Sequence, residues 1–206
     1  MKLQEKIMKE QLKAYSKYFA FQLILIVTYI IFLKIAKIPI TTTNYLIILG
    51  EKKNNIMGIL FSMYQIILCL TITYQFYMYE IKNNNINVMM RVKSREWVVN
   101  KLHILIETVV IYKIIYSIVT YQFFINICRF PLKLIIYNIS KSIIVALILI
   151  NLINNYKNKR SIIVAILLLF VLTIYFNNLF INILFIIIIY LINIYTFTIK
   201  NNLNVK

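Results

Sequence analysis

Few side chains in this sequence could do chemistry, and their types and spacing say which chemistry it would be. His103 and Glu107 stand four residues apart on one helical face, the way a membrane-embedded metalloprotease would present a metal ligand and a base. Such a site needs further His, Glu or Asp ligands, whereas the chain has one His and six acidic residues, every one a Glu. No other carboxylate falls in an apolar stretch, so no catalytic residue and no metal ligand is assigned, and His103 reads as structural. Glycine occurs only at Gly50 and Gly58, so neither the GxxxxGK phosphate loop nor GxGxxG can be written. Cys69 and Cys128 lie in or beside apolar stretches, at no spacing that suggests a disulfide framework or a zinc site.

Two lysines fall where lysine is costly. Lys113 and Lys141 sit well inside apolar stretches, where one charge at a helix centre costs roughly 2.5–3.5 kcal/mol on insertion scales. Lys133, Tyr137 and Lys141 recur at i, i+4 and i+8, with Asn138 and Ser142 beside them, a polar stripe suited to a helix bundle or an aqueous cavity. Glu107 and Lys113 are too far around the helix to pair well, so Glu107 is expected to meet a cation from another helix. The lysines either snorkel to the headgroups or form a basic lining that attracts an acidic peptide terminus or a lipid phosphate. On the second reading Glu107, Lys113, Asn138 and Lys141 are the polar residues of a translocation path. Asn138, Asn151, Asn182 and Asn193 are expected to bond between helices, at roughly 0.6 kcal/mol each.

The elements that must position these residues are apolar helices. The 206 residues are 62% hydrophobic and 14% charged, and mean hydropathy is +0.81. A soluble domain has roughly 45–50% apolar and about 25% charged residues. Apolar runs of about 20 residues recur, the length that crosses a bilayer's hydrocarbon, so the fold class is all-α and polytopic in a membrane. The wealth of Ile, Asn, Lys, Tyr and Phe is what an AT-rich genome produces. The net charge of +17 is not, since such a bias supplies Glu as readily as Lys. The charges lie between the apolar runs, where anionic lipids, and not nucleic acid, are the nearer partner.

Six spans can be drawn, at about 19–38, 56–79, 102–127, 132–153, 161–176 and 179–199, making 19–199 the membrane domain. The fifth is short, and Asn177 and Asn178 turn it into the sixth as a tight hairpin. Ahead of them, residues 1–18 place Met8, Leu12, Tyr15 and Phe19 on one stripe, an amphipathic helix expected to lie in the interface before turning into the bilayer. With the N-terminus inside, fifteen Lys and Arg fall in cytoplasmic segments and six outside, so the positive-inside rule puts both termini, including the 200–206 tail, in the cytoplasm.

The cytoplasmic connection 80–101 is the most informative segment. Residues 86–93 make a short, mildly amphipathic stretch. Ser94 then suits an N-cap, Glu96 suits the positive end of a helix dipole, and Trp97 sits where an aromatic anchor belongs. The pattern is a surface helix joined directly to the third span, so that a push on it reaches the span.

Glu80, Arg91, Ser94, Arg95 and Lys101 in this connection, with six spans and both ends inside, resemble the permease subunits of type II ABC exporters. The likeness is closest to the small, divergent permeases of peptide-antibiotic export or immunity systems. In topology it covers nearly the whole chain; in residues, about twenty positions. It implies a multi-pass bacterial cell-membrane subunit with no cofactor of its own. ATP and Mg would sit on a partner ABC ATPase, and a second permease subunit, identical or related, would complete the path. Met89, Arg91, Lys93, Arg95 and Trp97 become the residues that couple to the ATPase. A peptide, an antibiotic or a lipid-like molecule is the implied cargo, although the chain lacks the large extracellular domain of bigger members. The alternatives are a six-span substrate-binding component, a small channel, or a stand-alone bacteriocin immunity protein.

Overall fold

The computed structural model describes residues 2–49, 56–77, 94–127, 129, 131–155 and 179–204. Among these, six helices and no strand occur: α1 (Lys2–Ile35), α2 (Thr42–Ile48), α3 (Ile56–Phe76), α4 (Ser94–Gln122), α5 (Leu132–Asn155) and α6 (Leu179–Asn204). Within α3 to α6, four stretches are long and apolar enough to cross a membrane: Ile56–Phe76, Arg95–Gln122, Leu132–Ile153 and Leu179–Thr198. Ala20–Ile35 of α1 is a shorter apolar helix. The expected fifth span, 161–176, and its Asn177–Asn178 turn lie outside the described residues, as do the surface stretch 86–93 and Cys128.

The helix bounds add to the sequence reading at three places. Helix α1 runs unbroken through the point after Tyr18 where a turn into the bilayer was expected; no Gly or Pro interrupts it to make a kink. Helix α4 begins at Ser94, where the sequence suggested a cap, runs without a break through the start expected for the third span, and ends at Gln122, with residues 123–127 in turns. The connection after the first expected span, for which the sequence suggested no element, contains α2.

The chain divides into two compact units, Met1–Leu68 with Tyr112–Ile135, and Cys69–Ile111 with Ile136–Lys206. In the first, α2 is packed on several sides. Its core joins Ile26, Tyr29 and Leu33 of α1, Tyr45 and Ile48 of α2, Phe61 of α3, Tyr116 of α4 and Phe124 of the following turn. Thr41 caps α2 in an extended conformation (φ −125°, ψ 170°). Asn44 Oδ1 accepts from both the Thr41 amide and the Thr41 hydroxyl at 2.8 Å, and Asn44 Nδ2 donates to the Tyr29 hydroxyl at 3.3 Å. Tyr45 stacks tilted on Phe124, ring centroids 5.1 Å apart.

In the second unit, asparagines join α5 to α6. Asn151 Nδ2 donates to Asn193 Oδ1 at 3.1 Å, Asn193 Nδ2 to the Leu147 carbonyl at 2.9 Å, and Asn182 Nδ2 to Ser140 Oγ at 3.1 Å. Asn182 and Asn193 are fully buried, so these bonds replace water that apolar surroundings exclude. Cys69 Sγ donates to the Ser142 carbonyl at 3.2 Å, next to the polar side of α5.

Candidate functional site

A buried polar cluster forms in the first unit around Lys113. Four apolar elements carry it, and each contributes a polar group that its neighbours cannot leave to lipid. Lys113 of α4 is only 4% exposed, and its Nζ donates to Gln65 Oε1 of α3 at 2.8 Å. The other end of the same amide, Gln65 Nε2, donates to the Ile48 carbonyl at 3.1 Å. Tyr116, one turn after Lys113, donates its hydroxyl to that carbonyl at 3.0 Å. Ile48 ends α2, and the last carbonyls of a helix have no partner within it. Gln65 and Tyr116 therefore satisfy the exposed end of a seven-residue helix inside an apolar unit. The partial negative charge of that end also lies on the side of the cluster that Lys113 reaches through Gln65.

Gln22 of α1 completes the cluster. Its Oε1 accepts from the Tyr112 hydroxyl. Thr120 Oγ1 lies one turn on, donating to the Tyr116 carbonyl at 2.7 Å. Of the polar residues that the sequence singled out, only Lys113 belongs here. Gln22, Gln65, Tyr112 and Tyr116 were missed, as was α2. The available signal was an amide within each of the apolar runs around positions 22 and 65, the second of which also carries Gln75.

The other candidates lie elsewhere. Lys141 packs over the Tyr137 ring of its own helix, its Nζ 4.0 Å from the centroid, a cation–π contact at i−4. Lys133 is exposed, while Asn138 and Lys141 are half-buried; the Asn138 carbonyl accepts from Ser142 Oγ at 2.9 Å. Glu107 is exposed, and the cation expected from another helix is not found among the described residues. One turn before it, His103 stacks on Tyr190 of α6, centroids 5.9 Å apart and rings 15° from parallel. Among the described residues no three His, Cys, Asp or Glu side chains gather.

Of the expected coupling residues, Met89, Arg91 and Lys93 lie outside the described residues. Arg95 is exposed in the first turn of α4, and Trp97 is buried. Trp97, Val98, Lys101 and Leu102 border a small void with Phe197 of α6, and Lys101 Nζ lies 6.0 Å from the Trp97 ring centroid. The expected interfacial anchor is thus also a packing residue. Comparison with protein-family models, with curated proteins and with solved structures finds no match to this chain. By its own helices, the chain is an all-helical protein with four membrane-length apolar spans among its described residues.

Proposed function

We propose that the chain is the membrane subunit of an ATP-driven exporter, worked by a separate ATPase that pushes on the foot of α4. The observation that carries this reading is the continuity of α4. One helix leads from Arg95 and Trp97, in the basic connection, to Lys113 and Tyr116 in the polar cluster. No Gly or Pro stands between Ser94 and Lys113. An axial or tilting displacement at the foot is passed along the helix toward Lys113, because a sharp kink that would absorb it requires a kink-forming residue or an inserted group. The basic foot suits docking on an acidic partner surface, and the buried polar groups mark the part of the path where a cargo would be handled. The cargo class is a peptide, an antibiotic or a lipid-like molecule, and a second permease subunit completes the path.

Mild-detergent purification of the tagged chain from its own membranes tests the proposal. A P-loop ATPase is expected at a one-to-one ratio, lost on Arg95→Glu. Ile106→Pro, in the middle of α4, should leave the ATPase bound but abolish transport, since proline kinks a helix interior. Full activity of the isolated chain in liposomes without any ATPase overturns the proposal in favour of a channel or a free-standing binder.

A further inference from the structure

We infer that the end of the first unit where α1 closes and α5 begins binds the headgroup of an anionic phospholipid. The first ground is where that end lies. Three apolar stretches have a bound here, at Ile35 of α1, Gln122 of α4 and Leu132 of α5. Side chains at and just beyond those bounds stand at headgroup depth in a bilayer. One core cluster ties the three together, since Leu33 of α1, Ile40, Phe124 and Leu134 of α5 all pack in it. The cations beside these residues, Lys34, Lys37, Arg129 and Lys133, therefore surround a single apolar cluster.

The second ground is charge, counted on the whole sequence. The connections 34–55 and 123–133 hold six Lys or Arg against one acidic residue, Glu51, so together they stay positive wherever Glu51 lies. Of the other glutamates, Glu5 and Glu10 stand in the first three turns of α1, and Glu96 and Glu107 in the first half of α4. Both pairs are far along their helices from Lys34 and Gln122, and Glu80 follows the far end of α3. Helix electrostatics explains only part of this charge. Lys34 is in the last turn of α1, whose negative end favours a cation, but Lys133 is in the first turn of α5, whose positive end disfavours one. The charge rule does not explain it either: with the termini inside, these six lie on the side that the rule keeps poor in cations.

The third ground is the company these cations keep. Lys34, Lys37, Arg129 and Lys133 are all exposed, and their near neighbours in sequence are apolar and exposed too. Ile35 is 77% exposed and Leu132 61%, and Ile38 and Ile127 also face outward. A phospholipid answers both features at once: its phosphodiester meets the cations, and its acyl chains cover the isoleucines and the leucine. An acidic soluble peptide would answer the charge alone.

A probe held at this end tests the inference on the full chain alone, without ATPase or nucleotide, so its outcome is separate from that of the exporter proposal. In a variant freed of Cys69 and Cys128, a fluorophore is attached through Asn126→Cys, an exposed position between α4 and α5, and the chain is placed in phosphatidylcholine nanodiscs. Phosphatidylglycerol spin-labelled high on one acyl chain should quench it at about a tenfold lower mole fraction than phosphatidylcholine labelled in the same way. Replacing Lys34, Lys37, Arg129 and Lys133 together by Gln should erase that preference. Lys34→Gln with Lys37→Gln, or Arg129→Gln with Lys133→Gln, should each weaken it several-fold, which keeps the test open if the fourfold variant does not fold. The same fluorophore at Ser16→Cys, beyond the other end of the apolar part of α1, should report no change on any of these substitutions. Equal quenching by the two lipids, a preference at Asn126→Cys that survives the substitutions, or an equal loss at Ser16→Cys overturns the inference. Release of the preference by glycerophosphoglycerol, the water-soluble headgroup alone, also overturns it, by assigning the surface to a soluble anion.

Discussion

Gln65 does two jobs with one amide: it accepts from a buried ammonium and donates to the last carbonyl of α2. Removing it takes one hydrogen bond from the ammonium and one from the Ile48 carbonyl, which keeps the Tyr116 hydroxyl, and hydrogen bonds to charged groups are the stronger kind. Gln65→Leu is therefore expected to destabilise the protein by about 3 kcal/mol. Combining it with Lys113→Met should recover part of that loss, because no charge then remains to be buried. Thermal unfolding in mild detergent measures both, and equal losses in the single and double variants would contradict the coupling. Lys113 was legible in the sequence because one lysine in an apolar run is conspicuous on energetic grounds alone. Gln22 and Gln65 were not: a neutral amide in such a run costs less, and only the fold shows what it faces. For Lys141 the spacing already put Tyr137 on the same stripe, and the cation–π contact between them lies within one helix.

Helix ends carry the element-scale lesson. Helix α1 closes with the Ile38 amide bonded to the Leu33 carbonyl and the Lys37 amide to the Lys34 carbonyl, at 2.9 and 3.1 Å. This pairing puts its hinge residue in the left-handed region, where Lys37 stands at φ 54°. A side chain with a Cβ is strained there, and glycine is not. Lys37→Gly should accordingly raise stability by roughly 0.5–1 kcal/mol, visible as a higher unfolding temperature; an unchanged or lower one would show that the lysine side chain contributes more than its backbone costs. Reading apolar runs of about 20 residues cannot find α2, because seven residues are too few to register. Its local signal, Thr41 three residues before Asn44 and ahead of an apolar run, was nonetheless present. The joined foot and span of α4 were legible for a related reason: Ser94 and Glu96 suit a helix start, and nothing after them stops it.

At the scale of the molecule, hydropathy alone revealed the long helices, since length and composition decide whether a segment can span. Which residues gather within each unit depends on packing between segments far apart in sequence, and so was hidden. The orientation rests on charge bias and can be checked directly. Ser16 and Lys37 are exposed positions on either side of the apolar part of α1, about 30 Å apart along its axis. In a variant freed of Cys69 and Cys128, Lys37→Cys should react with a membrane-impermeant maleimide on intact cells. Ser16→Cys and Arg95→Cys should react only after the cells are opened; the reverse pattern would invert the topology. Trp97 is the one tryptophan in the chain and is 5% exposed at the base of α4. The protein therefore holds a native fluorophore, with no competing indole, at the spot where the proposed motor would act. Its emission colour should shift whenever that base is pried from Phe197, so nucleotide added to the complex with an ATPase stripped of tryptophan would show the stroke without an attached dye.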